Sequence, residues 1–125
     1  MANTTLYRPV GQKELDRIAA ADFRAFPPRL SWQPIFYPVL TLEYAVQIAR
    51  DWNTKDAENG CVGYVTRFEV DTDYLARFPV RCVGGEAHLE YWIPAEELTT
   101  FNQHIAGSIE VVAEYRGTPE DASRA

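Results

Sequence analysis

Within GGEAHLEYWIPAEEL, residues 84–98, a histidine, a carboxylate and an indole recur at every second position as His88, Glu90 and Trp92. Alternate side chains of an extended strand share a face. The run would therefore line up groups able to move a proton or hold a charge beside an aromatic surface. Leu89, Tyr91 and Ile93 would face the other way and read as core. Such a row is either a solvent face or the wall of a site. Two other short pieces carry chemistry. LYR (6–8) ends on Arg8, and FYPV (36–39) carries Tyr37 just ahead of a strong helix. Arginine is the better fork for phosphate or carboxylate. Each residue also has a plain reading: a surface ion pair for Arg8, a half-buried strand aromatic for Tyr37 and a solvated strand carboxylate for Glu90.

The elements that must position these residues are legible from periodicity. TTLYRPV (4–10) is a β-prone run stopped by Pro9. GQKELDRIAAADF (11–23) places Leu15, Ile18, Ala19 and Phe23 at helical spacing. RAFPPRLSWQP (24–34) holds three prolines and reads as an ordered loop, with Phe26, Leu30 and Trp32 wanting cover. IFYPV (35–39) is a short strand that Pro38 confines to an edge or an end. TLEYAVQIARDWN (41–53) is the clearest helix, with Thr41 as N-cap and Tyr44, Ala45, Ile48, Ala49 and Trp52 as its stripe. CVGYVTRFEV (61–70) alternates: Val62, Tyr64, Thr66, Phe68 and Val70 on one side, Val65, Arg67 and Glu69 on the other. DTDYLARF (71–78) can hold one or two helical turns.

PVRCV (79–83), the glycine pair and 86–93 make a strand–turn–strand, with VGG (83–85) a hairpin turn rather than a phosphate cradle. Pro94 opens a helix at its first position, with Leu98, Phe101 and Ile105 inward. SIEVVAEY (108–115) is a last strand. The order predicts an α+β domain over 1–115, with a mainly antiparallel split β-sheet and flanking helices, and a polar flexible tail over 116–125.

At 125 residues and 46% hydrophobic content the chain fits one domain with a proper core. No apolar run approaches a membrane span, and the first residues lack a signal-peptide pattern, so a cytoplasmic protein without membrane contact is expected. The net charge of −6 argues against a nucleic-acid backbone as partner. Cys61 and Cys82 make no disulfide framework or CxxC pair and read as small buried residues. With only His88 and His104 beside them, no metal site is expected. Walker, GxGxxG, HExxH and GxSxG motifs are absent.

Taken in order, LYR, the aromatic strand running into the helix of FYPVLTLEYAVQIARDW, and HLEYWIP (88–94) resemble the ADP-ribosyltransferase fold. GYVTRFEVDTDYLARF resembles the middle strand and short helix of such domains, and the resemblance covers roughly 4–115. It implies a transferase that cleaves the nicotinamide–ribose bond of NAD and passes ADP-ribose to an unidentified acceptor, a protein among the options. By the same resemblance Glu90 is the catalytic carboxylate, hydrogen-bonding the nicotinamide ribose and favouring an oxocarbenium-like transition state. His88 takes the place that selects the acceptor. Tyr7 and Arg8 take the first-strand place that contacts NAD, Arg8 at phosphate or ribose. Tyr37 packs on nicotinamide, and Trp92 lies on the cleft side of the strand beside Glu90.

The chain also resembles small bacterial proteins known as ADP-ribosylation/crystallin J1 proteins. The glycohydrolases to which that label belongs are longer, helical and carry aspartate-rich metal sites, and no such aspartate cluster occurs here. Two departures from the transferase pattern stand out: FYPV replaces the Ser-Thr-Ser strand, and His88 replaces an acidic or amide residue. They keep open an alternative, a catalytically silent binding, immunity or regulatory module on the same fold. A plain interaction domain with a patch around Pro27, Pro28, Trp32 and Trp92 is the third reading.

Overall fold

The computed structural model describes residues 2–31, 33–82 and 89–117. Strand β1 (Asn3–Val10) runs antiparallel to β3 (Val62–Asp71), which runs antiparallel to β7 (Ile105–Arg116). Leu6 stands opposite Phe68, Arg8 opposite Thr66 and Val10 opposite Tyr64. Residues directly opposite share a face of the sheet, so the alternation of β3 sorts its side chains as expected. Tyr64, Phe68 and Val70 pack with Leu6 and Val10 into the main core. Val65 belongs to a smaller cluster with Val39, Ala45 and Ala49.

The main core is closed by helix α1 (Gln12–Ala20) through Ile18, by Phe26 and by Phe36 of β2 (Ile35–Phe36). It is completed by Tyr74 and Leu75 of α3 (Thr72–Leu75) and by Leu98 and Phe101 of α4 (Leu98–Gln103). Phe26 stacks edge-on against Phe68 at 4.8 Å between ring centroids. The proline-rich segment is tied down at its backbone: Phe26 N–H donates to Asn102 Oδ1 (2.9 Å), and Asn102 Nδ2 donates back to the Phe26 carbonyl (3.0 Å). Leu30 stays exposed rather than covered, and Trp32 lies outside the described residues.

Helix α2 (Leu42–Asp51) covers the smaller cluster with Ala45 and Ala49. Thr41 caps it, accepting the Tyr44 N–H at 3.2 Å. Small residues on both sides let it lie close to the sheet. A Cβ at Gly63 would overlap the backbone carbonyl of Ala49. Trp52 departs from the expected inner stripe and is 71% exposed. The helix ends at Asp51 with Trp52 as its C-cap, and a 3-10 turn follows over Asn53–Lys55.

Other boundaries moved for local reasons. Helix α1 stops at Ala20 rather than continuing to Phe23, because Asp22 and Phe23 both adopt a left-handed φ of 57°. The turned chain sends the Phe23 carbonyl to the Ile109 N–H of β7. Pro38 divides the expected 35–39 strand, leaving β2 and a single bridging residue, Val39. Pro94 ends the two-residue β6 (Ile93–Pro94) instead of opening a helix; a 3-10 turn over Ala95–Glu97 precedes α4. Ile105, expected on α4, starts β7, three residues earlier than the alternation suggested. Cys61 is buried, but Cys82 is exposed, correcting its reading as a core residue. β7 runs one residue into the expected tail, ending at Arg116, and the Gly117 N–H reaches the Cys61 carbonyl at 2.8 Å.

The antiparallel sheet and short helices make this an α+β architecture. No helix among the described residues is long and apolar enough to cross a membrane.

The close seat of α2 on β3 gives a direct test. Gly63→Ala should lower stability by about 1–3 kcal/mol through overpacking against Ala49, measured as a shift in the urea unfolding midpoint. Full retention of stability would contradict the close helix–sheet contact.

Candidate functional site

Glu90 lies at the centre of the three-residue strand β5 (Leu89–Tyr91), antiparallel to β4 (Val80–Cys82) with Arg81 opposite it. The turn expected between these strands lies outside the described residues, and so does His88. The other side of β5 is joined to the main sheet by Val39. Val39 exchanges two backbone hydrogen bonds with Tyr7, at 2.9 and 2.8 Å. Leu40 N–H donates to the Leu89 carbonyl (3.0 Å) and Tyr91 N–H to the Pro38 carbonyl (2.9 Å). Tyr7, Val39 and Glu90 are thus paired in a row across three strands. Paired residues share a face, and this is the face that α2 covers.

That placement buries the carboxylate: Glu90 is 8% exposed. The sequence assigned Leu89 and Tyr91 to the core and left Glu90 on the other side. In the structure Glu90 is buried and both of those residues are half-buried, while Ile93 is fully covered. A buried carboxylate needs partners. Trp92, two residues on and therefore on the same side, donates its indole Nε1–H to Glu90 Oε1 at 2.9 Å. The Tyr44 hydroxyl from α2 forms a second hydrogen bond. Burial, then the Glu90 charge, then that hydrogen bond hold the Tyr44 phenol above its ordinary pKa. Among the described residues no cation forms a salt bridge with Glu90.

Around this group lies a cleft of about 350 Å³, lined by Tyr37, Val39, Ile48, Glu90 and Trp92 with Arg8 and Pro9. Tyr37 and Trp92 meet edge to face, 5.8 Å between centroids. Arg81 lays its guanidinium over the Trp92 ring at 5.3 Å.

Four of the six sequence candidates therefore converge: Arg8, Tyr37, Glu90 and Trp92. Their roles differ. Arg8 is the neighbour of Tyr7 and leaves β1 on the opposite face. Its Nε and Nη2 donate to Glu14 at 2.6 and 3.0 Å, its Nη1 lies 3.4 Å from the Tyr37 carbonyl, and its guanidinium sits 4.7 Å from the Phe36 ring centroid. Only 10% of the Arg8 side chain is exposed. It reaches the cleft lining with its fork already held by Glu14. Tyr7 does not line the cleft; it packs on the Val39–Ala45–Ala49–Val65 cluster. Two partners escaped the sequence reading. Tyr44 read as one more apolar stripe residue, although a phenol in a buried stripe needs a partner for its hydroxyl. Glu14, six positions after Arg8, lies inside the helical run 11–23 and carries no reading of its own there.

Among the described residues no group of three His, Cys, Asp or Glu is placed to hold a metal ion. Comparison with family models, curated proteins and solved structures finds no match.

The Tyr44–Glu90 contact has a defined pH signature. A raised phenol pKa means that its stabilisation is complete below the pH at which an unfolded tyrosine ionises. It is lost as pH rises through the folded value. In Glu90→Gln the Tyr44 phenol should ionise at lower pH than in the native protein, read by ultraviolet or NMR titration. An unchanged midpoint would show that the charge of Glu90 does not reach Tyr44.

Proposed function

We propose that the cleft beside Glu90 takes the nicotinamide–ribose part of NAD and that the protein is an NAD-dependent mono-ADP-ribosyltransferase-like enzyme. The observation that carries this reading is a buried carboxylate with neutral hydrogen-bond donors and, among the described residues, no salt bridge, opening onto an aromatic cleft. A negative charge fixed in a low-dielectric wall favours positive charge appearing in front of it. The volume sits at the lower end of the roughly 300–1,000 Å³ of small-molecule sites, so it suits a ring and a sugar rather than a whole dinucleotide.

In this reading Tyr37 and Trp92 cover the nicotinamide ring. The bond between ribose C1′ and the nicotinamide nitrogen breaks, and nicotinamide leaves with the electron pair. Glu90 stabilises the oxocarbenium-like sugar, with Trp92 and Tyr44 holding its oxygens in place. The acceptor nucleophile then bonds to C1′ and gives up its proton. The engagement of Arg8 by Glu14 supports the second reading, a silent cleft that binds without turnover, because the fork expected on the NAD phosphates is already satisfied inside the protein.

Incubation with NAD and assay of free nicotinamide separates the two. The enzyme reading predicts nicotinamide release that falls by about 10²–10³-fold in Glu90→Gln, with NAD affinity measured by calorimetry changing far less. Binding without release would favour the silent module. Full turnover in Glu90→Gln would remove Glu90 from the chemistry.

A further inference from the structure

A second cavity of about 250 Å³ lies where the start of α1 meets the proline-rich segment, lined by Lys13, Glu14, Arg17, Arg29, Gln33 and Glu58 among others. Its charges do not simply cancel. The Glu14 carboxylate that contributes to this wall is engaged on both oxygens by Arg8. With Glu14 neutralised by Arg8, three cations face one carboxylate, Glu58. Arg29 is the distinctive member. Among the described residues it forms no salt bridge, and the hydrogen bond recorded for its guanidinium is Nε to the Ile35 carbonyl at 3.1 Å. Burial and the nearby Arg8 charge push its pKa down, more than Glu14 and Tyr37 pull it up. A half-buried guanidinium that shares the Glu14 carboxylate with a second one, and forms no salt bridge of its own among the described residues, would gain from a further anion.

We infer that the cavity bounded by Lys13, Arg17 and Arg29 is a binding site for a phosphate-class dianion. Arg29 supplies the planar fork that a phosphate accepts with two oxygens. Arg17 and Lys13, both exposed on α1, supply charge at the entrance. The Arg8–Glu14 pair separates this site from the cleft beside Glu90, since Arg8 lines that cleft and Glu14 lines this cavity. The inference therefore stands whatever the cleft takes.

Pyrophosphate titrated at constant ionic strength, followed by backbone and arginine side-chain NMR, tests it. The native protein should show saturable shifts at Arg29, Arg17 and Lys13 at millimolar pyrophosphate. Arg29→Gln should weaken binding about tenfold or more, the loss of one charge-assisted pair. Arg17→Gln, an exposed helix position that leaves the core intact, should weaken it by a smaller factor. Arg67→Gln, on the exposed part of β3, should leave it unchanged. Absence of saturation, or equal binding by the Arg29, Arg17 and Arg67 variants, would overturn the proposal.

Discussion

Two backbone hydrogen bonds between Tyr7 and Val39 decide where the candidate site can exist. Pro38 cannot donate to a ladder, so the segment after β2 is reduced to one bridging residue. That residue bonds β1 on one side, while its neighbours Pro38 and Leu40 bond β5 on the other. Without this segment β5 would keep its pairing with β4 but lose these backbone hydrogen bonds toward the main sheet. With it, the pleat carries Glu90 onto the same face as Tyr7 and Val39, beneath the helix that brings Tyr44 and Ile48. The close seat of α2 over Gly63 sets the depth at which these side chains meet.

The two buried charges near this junction are handled in opposite ways. Arg8 is compensated by Glu14 through two hydrogen bonds and lies over the Phe36 ring. Removing one partner of such a pair leaves an uncompensated charge and costs about 3–5 kcal/mol, which makes it part of the scaffold. Glu90 is surrounded by an indole N–H, a phenol and an open cleft. Hydrogen bonds to a charged group stabilise it by roughly 1.5–3 kcal/mol each, but they do not neutralise it. A structural carboxylate would be expected to be bonded to a cation; among the described residues Arg8 lines the same cleft but is held by Glu14, and Arg81, opposite Glu90, stacks on Trp92.

The periodic parts of the sequence are legible in advance of the structure, and the contacts between distant segments are not. The 2.0 period of 62–70 and the Thr41-capped helix transmit directly into structure because each depends on neighbours in the chain. The periodicity of 11–23 overruns the helix, which ends at Ala20, because nothing in ADF announces two left-handed residues. Trp52 was assigned to a buried stripe because its spacing fits a helix that in fact ends one residue earlier. Within the site, the shared side of Glu90 and Trp92 follows from strand alternation, and the strand assigned to Tyr37 led toward the same cleft. Glu14 as partner of Arg8, and Tyr44 as partner of Glu90, depend on how α1 and α2 lie on the sheet. Spacing does not encode that, although a buried phenol and a buried guanidinium each signal that a partner must be found.

The most direct test of the account is the indole N–H spectrum of the protein during an NAD titration. Trp92 Nε1–H is bonded to Glu90 at the cleft wall, whereas Trp52 is largely exposed on the end of α2. The account predicts that the Trp92 indole resonance shifts saturably with NAD while that of Trp52 stays in place. A Trp92 resonance unmoved at millimolar NAD would contradict the claim that the Glu90 cleft is where this protein binds its ligand.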